Sequence, residues 1–364
     1  MTCPVPFRKN LLDIQPYVPG KPIEELEREL GIKQISKLAS NENPLGPSPK
    51  VLSAIEKALP NVNRYPDSGA YLLIRSLSAH LGVGTNQVIL GHGSNELLVL
   101  LGQMVLKPGD EVLFAENSFV VYSLVAQILE AVPRTVPLQN LTHDLKAFAA
   151  ALTSKTRLVF ICNPNNPTGT FVPLLAIEAF LKICPKDILV VVDEAYYEYV
   201  EEKNYFDSLN LLSSYPNLVV LRTFSKAFGL AGLRVGYGVA QPELVEVFQK
   251  TRQPFNVNGL ALVGAEAALD DIPHMKKVVE LNRSMRQKLD AGLTRMGLKP
   301  AKSQTNFVYF ETPQASRIYS ELLKKGMIIR PLGASALRVS TGTDKETEIF
   351  LSLIEEVLMT SGTR

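Results

Sequence analysis

The stretch Val88–Phe114, VILGHGSNELLVLLGQMVLKPGDEVLF, decides the fold class. Val88-Ile89-Leu90 is an apolar run of strand length, and Gly91-His92-Gly93 is a turn. Glu96–Leu106 follows with a helical period, and Glu111-Val112-Leu113-Phe114 is a second strand-like run. Strand, crossover helix and strand make a parallel unit. The alternation continues through Arg157–Cys162, Ile188–Asp193, Leu218–Arg222 and Val235–Ala240, each bounded by polar or glycine-rich turns. A large doubly wound α/β domain with a mainly parallel sheet is expected over residues 41–254.

Beyond Gln253 the pattern turns more helical, with a long amphipathic stretch from Met275 to Met296. Strand-like runs at Asn306–Phe310, Met327–Arg330 and Leu337–Ser340 flank a helix near Ser316–Lys325, which predicts a smaller α+β domain over residues 255–364. A proline-rich start, Pro4 to Pro22, reads as an extended arm before a short helix near Ile23–Leu30. The arm has no strand partner nearby in sequence, so residues 1–40 are expected to join the C-terminal domain.

At 364 residues, 46% hydrophobic and 20% charged, the chain is long and apolar enough for two buried cores and too apolar for disorder. Its net charge of +2 supplies no field for nucleic acid or an anionic membrane, so anions must be recognised locally. Cys3, Cys162 and Cys184 form no CxxC pair and only four histidines accompany them, which argues against a disulfide framework or a structural zinc site. With no apolar leader and no run of about 18 apolar residues, the cytoplasm is the expected compartment.

Ligands of open α/β sheets bind beyond the carboxyl ends of the strands, so the residues after each apolar run carry the chemistry. Gly93-Ser94-Asn95 opens a helix whose free N–H groups suit a phosphate, although an ordinary turn capped by Ser94 reads the same way. Asn163-Pro164-Asn165-Asn166-Pro167-Thr168-Gly169 presents amides from a stiff loop. Asp193-Glu194-Ala195-Tyr196 puts a carboxylate at a strand tip, a position that equally suits a metal ligand or a helix cap. Thr223-Phe224-Ser225-Lys226, followed by Arg234, sets hydroxyls and an arginine around one lysine, which taken singly reads as a surface residue.

In order, spacing and residue type these segments resemble the fold-type-I pyridoxal-phosphate-dependent aminotransferases, over essentially the whole chain. The resemblance implies pyridoxal 5'-phosphate as cofactor, held by Lys226 as a Schiff base, with Lys226 also moving the substrate proton. It implies that Asp193 faces the pyridine nitrogen, that Tyr196 and Asn166 hydrogen-bond the cofactor's phenolate oxygen, and that Phe119 stacks on the ring where many relatives carry tyrosine. Ser94, Asn95, Thr223, Ser225 and Arg234 would hold the phosphate. Tyr65 matches a tyrosine that reaches the phosphate from a neighbouring subunit, which implies a homodimer with shared sites.

Three further segments, Gln15–Pro22, Asn41–Gly46 and Arg252–Asn258, are similar to the branch of that family acting on histidinol phosphate. On that likeness Tyr17, Asn43, Arg330 and Arg338 line a pocket for a phosphate or for the carboxylates of glutamate and 2-oxoglutarate, and the setting is histidine biosynthesis. Relatives on the same scaffold transaminate phenylalanine or tyrosine, or decarboxylate threonine phosphate. A dinucleotide fingerprint fails because Glu96 stands where a third glycine belongs. A sensor role in transcription would require a DNA-binding module, for which the N-terminal arm is too short.

Overall fold

The computed structural model describes residues 5, 7–17, 19–32, 34–203, 205 and 207–360; Cys3, Pro4 and Val18 of the N-terminal segments lie outside them. The strands are β1 (Ser36–Lys37), β2 (Val88–Gly91), β3 (Glu111–Ala115), β4 (Val132–Val136), β5 (Thr156–Cys162) and β6 (Leu189–Asp193). They continue with β7 (Leu218–Thr223), β8 (Gly236–Ala240), β9 (Phe307–Glu311), β10 (Met327–Ile328), β11 (Arg330–Leu332) and β12 (Ala336–Ser340).

Seven strands form one sheet in the order β2-β8-β7-β6-β5-β3-β4. All pairings among β3 to β7 are parallel, while β8 runs antiparallel to both β7 and β2. The exception follows from chain length. Only residues 224–235 join β7 to β8, and they hold a short 3-10 turn, Ala231–Leu233, instead of the helix a parallel crossover requires.

Alternate side chains feed two cores on opposite faces, as the two-residue period of a strand dictates. Val190 and Val192 belong to one, Leu189 and Val191 to the other. Helices cover both faces, which is why these strands read as continuous apolar runs. Strand β4 escaped the sequence reading because its first four residues are exposed and Pro133 interrupts it, a substitution that only an edge strand tolerates.

Strands β11, β12 and β9 make a second, antiparallel sheet. Leu289, Ile318, Phe350 and Ile354 of its covering helices pack with Phe310 and Val339. From Ile23 onward the N-terminal segment packs here: β1 pairs with β10, and Leu26, Ala39 and Ile328 share a small core. Its beginning goes elsewhere. Arg8 donates to the Ile128 carbonyl at 2.8 Å, at the end of the helix Val121–Ile128, where a cation is favoured. The helix Gly259–Leu269 lies beyond residue 254, yet Ala261, Ala265 and Leu269 are buried in the large sheet's core.

Candidate active site

A cavity of about 270 Å³ opens beyond the carboxyl ends of β5, β6 and β7, walled on the far side by β11 and β12. Lys226 enters it from the loop after β7, and its Nζ donates to the Ser40 carbonyl at 3.2 Å. Burial, reinforced by Arg338 and Arg234 against the opposite pull of Glu42 and Asp193, pushes the Lys226 ammonium down to about 8. A substantial fraction of neutral, nucleophilic amine is therefore present near pH 8.

Asp193 ends β6 and lines the same cavity while only 3% exposed. Burial pushes its carboxyl up to about 6, and two donors restrain the rise: the Tyr122 hydroxyl at 2.8 Å and the Ala195 N–H at 3.2 Å. Such a carboxylate is poised to pair with a cationic ring nitrogen. Tyr196 follows on the next turn, its phenol pushed upward by burial and so kept as a proton donor. Its oxygen accepts from Asn41 Nδ2 at 2.9 Å.

Asn166, in the loop after β5, accepts from Arg338 Nη1 at 2.6 Å through its Oδ1, which leaves its Nδ2 as a donor. Arg338 Nη2 donates to the Ala39 carbonyl at 2.8 Å, while its Nε is buried with no partner among the described residues. Arg330 stands directly opposite Arg338 in the β11–β12 register, so both side chains leave the same face and reach the cavity. Like charges in that relation repel, a cost that an anionic ligand relieves. Tyr17 also lines the cavity, with the Arg330 guanidinium 5.6 Å from its ring centre.

At the other end the helix Ser94–Val105 begins after Gly93, whose φ of 74° and ψ of 162° suit glycine alone. No side chain caps it. Ser94 is thus the first helical residue and not the cap; it lines the cavity with Asn95, and the opening amides of a helix have no partner within the helix itself, which suits an anion. Arg234 Nη1 donates to Ser225 Oγ at 3.3 Å and to the Ala231 carbonyl at 3.0 Å, holding the guanidinium beside Gly93. Thr223 Oγ1 accepts from the Ser225 N–H at 3.1 Å. Phe119 supplies an apolar face, braced edge-on by Tyr122 at 5.8 Å between ring centres. These residues fit a phosphate-bearing pyridine aldehyde: an anion cradle, an aromatic wall, a buried acid and an amine share one cavity.

Residues 33–354 match the family model for aminotransferases of class I and II. The chain belongs to this aminotransferase family. It is 46% identical over 357 residues to a histidinol-phosphate aminotransferase of Moorella thermoacetica, covering 96% of this chain and 92% of that one. It is 47% identical over 351 residues to histidinol-phosphate aminotransferase 1 of Dechloromonas aromatica, covering 95% and 96%. The crystal structure of histidinol-phosphate aminotransferase from Sinorhizobium meliloti, in complex with pyridoxal-5'-phosphate, superposes with a TM-score of 0.91 at 30% identity over 98% of both chains. The aminotransferase thus has the fold-type-I architecture that the resemblance of its motifs implied.

Two expected contacts of the aminotransferase lie outside the cavity. Asn43 is buried in backbone contacts: its Nδ2 donates to the Ala227 carbonyl at 2.9 Å, and its Oδ1 accepts from the Leu45 N–H at 2.9 Å. Its side chain braces the Lys226 loop. Tyr65 is 83% exposed and stacks on Phe255 at 4.7 Å in a separate groove.

Sequence reading missed Asn41, Tyr122 and Arg222. Arg222, 2% exposed, donates to Glu194 Oε2 through Nη2 at 2.7 Å and to Asp207 Oδ1 at 2.5 Å, tying the tips of β6 and β7 together. Its signal was available, since an arginine ending an apolar strand is buried only when paired. Among the described residues no group of histidine, cysteine and carboxylate side chains is arranged to hold a metal ion, and no helix is long and apolar enough to cross a membrane.

Proposed function

We propose that this aminotransferase uses pyridoxal phosphate to exchange the amino group of L-histidinol phosphate with 2-oxoglutarate, forming imidazole-acetol phosphate and L-glutamate in histidine biosynthesis. The observation that carries the reading is the meeting of Lys226, Asp193 and the facing pair Arg330 and Arg338 in one cavity. The relatives named for histidinol phosphate support the choice of substrate.

When bound, the cofactor supplies a carbonyl that takes up amines and a ring that accepts the electron pair released at the substrate carbon. The protein's own residues do the rest. Lys226 holds the cofactor and, once released by the incoming amine, carries the proton from the substrate carbon through its neutral amine. Asp193, ionised above about pH 6, keeps the ring nitrogen protonated. Tyr196 and Asn166 each present a donor to the anionic ring oxygen, and Phe119 covers the ring.

Ser94, Asn95, Thr223, Ser225 and Arg234 take the phosphate through charge-assisted hydrogen bonds. Histidinol phosphate has no α-carboxylate, whereas glutamate has two carboxylates, so one anion site must serve both half-reactions. A planar fork with unused donors suits that double duty. Arg338 Nε has no partner among the described residues, and Arg330 with Tyr17 completes the wall.

We propose a homodimer in which Tyr65 reaches the phosphate of the neighbouring subunit's site. Its groove carries exposed Val62 and Leu72, an apolar surface suited to a second copy. The proposed compartment is the cytoplasm, in keeping with the unpaired, buried Cys162 and Cys184.

The test is amino transfer to 2-oxoglutarate by the purified holoenzyme, expected to be faster from histidinol phosphate than from phenylalanine, with no carbon dioxide released from threonine phosphate. Equal or reversed preference points to an aromatic aminotransferase. Carbon dioxide release points to a decarboxylase. Lys226→Ala is expected to abolish turnover and the visible absorbance of the holoenzyme; an intact spectrum overturns the cofactor assignment.

A further inference from the structure

We infer that Asn41 and Ser340 act as positioning residues that fix the direction of the Tyr196 hydroxyl proton, turning it into the cavity. The inference rests on the cofactor reading above, since the cavity must hold an anionic acceptor for that proton to matter.

The Asn41 N–H donates to Ser340 Oγ at 2.9 Å. A hydroxyl oxygen that accepts there has one hydrogen left, and Ser340 gives it to Asn41 Oδ1 at 3.0 Å. Because the Ser340 hydrogen has no other acceptor among the described residues, the network assigns the amide with Oδ1 toward Ser340 and Nδ2 toward Tyr196, whose oxygen lies 2.9 Å away. Asn306 Nδ2 donates to the Asn41 carbonyl at 2.9 Å, so the backbone is pinned as well, in a left-handed conformation with φ of 55°. Asparagine tolerates that conformation better than most residues.

Tyr196 therefore accepts from Asn41, and among the described residues its own hydrogen has no recipient. A buried hydroxyl rarely leaves its hydrogen unused. Tyr196 is 2% exposed and lines the cavity beside Lys226, so the ligand is the available acceptor. Ser340 lies two residues from Arg338 on β12, on the same face of the strand, and Arg338 orients Asn166 in the same sense. One strand of the small domain thus sets the polarity of both donors.

A hydroxyl donating to the ring oxygen withdraws negative charge from it. The nitrogen linking Lys226 to the ring then gives up its proton at lower pH, and loss of the donation moves that midpoint upward. The experiment titrates the visible absorbance of pyridoxal-phosphate-loaded enzyme against pH, with Tyr196→Phe as reference. Asn41→Asp keeps the shape but turns an acceptor toward Tyr196, drawing its hydrogen away from the ligand. The midpoint is expected to rise by about one to two pH units, the size of one lost hydrogen bond to a charged group.

Asn41→Ala removes the donor without supplying an acceptor, so its shift is expected to be less than half as large. Ser340→Ala frees the amide to rotate and gives a smaller rise in the same direction; it carries the test if the aspartate variant does not fold. Midpoints at the parent value in the Asn41→Asp and Ser340→Ala enzymes, or equal shifts for aspartate and alanine, overturn the inference while Tyr196→Phe still moves. If Tyr196→Phe itself leaves the midpoint unmoved, the cofactor reading is what fails.

Discussion

Tyr122→Phe removes one hydroxyl and little else, because the ring remains stacked on Phe160 at 4.5 Å between centres. What it takes away is the shorter of the two hydrogen bonds to Asp193, at 2.8 Å against 3.2 Å from the Ala195 N–H. Burial keeps the Tyr122 phenol protonated well above its ordinary range, so it donates at every working pH. A hydrogen bond to a charged group contributes about 1.5–3 kcal/mol, so its loss raises the Asp193 carboxyl by about one to two pH units.

Asp193 already titrates at about 6, above its ordinary value. Its contribution to stability is therefore present at low pH and is lost as the pH rises through the native value. In the variant that loss continues to higher pH. Urea unfolding of the cofactor-free protein should show a modest difference between the two chains at pH 5, where both carboxyls are protonated. At pH 9 the variant should be less stable by an additional ~1.4–2.7 kcal/mol, one to two units converted at 1.36 kcal/mol each. Lys226 titrates in both chains and cancels in the comparison. An identical stability difference at pH 5 and pH 9 would refute the claim that Tyr122 supports the ionised form of Asp193.

Gly93→Ala forces a side chain onto a glycine-only conformation and brings its Cβ to 2.4 Å from Arg234 Nη2. Strain of about 1–3 kcal/mol is expected in unfolding, together with at least a roughly tenfold weaker affinity for pyridoxal phosphate by equilibrium dialysis; unchanged affinity counts against the proposed phosphate cradle. Arg222→Leu leaves Glu194 buried without its cation and should cost about 3–5 kcal/mol, whereas the double variant with Glu194→Leu should recover much of that. Equal losses in single and double variants would mean that packing, and not the ion pair, joins the two strand tips.

The strand and helix pattern between residues 88 and 240 was legible from local chemistry alone, because a sheet covered on both faces demands apolar runs and a crossover helix demands its own period. The places of Lys226, Asp193, Tyr196 and Asn166 at strand ends were legible for the same reason, since such sheets place ligands there, but their roles came only from the resemblance of the segments taken together. Tertiary structure alone decided the rest. The antiparallel course of β8 depends on a connection too short for a helix, and the exposed edge strand β4 carries no apolar signature. Asn41 meets Ser340 across 299 positions and Tyr122 meets Asp193 across 71, contacts that no local spacing encodes. Polar side chains acquire their roles from the partner that burial obliges them to find, and that partner is named only when the chain has closed on itself.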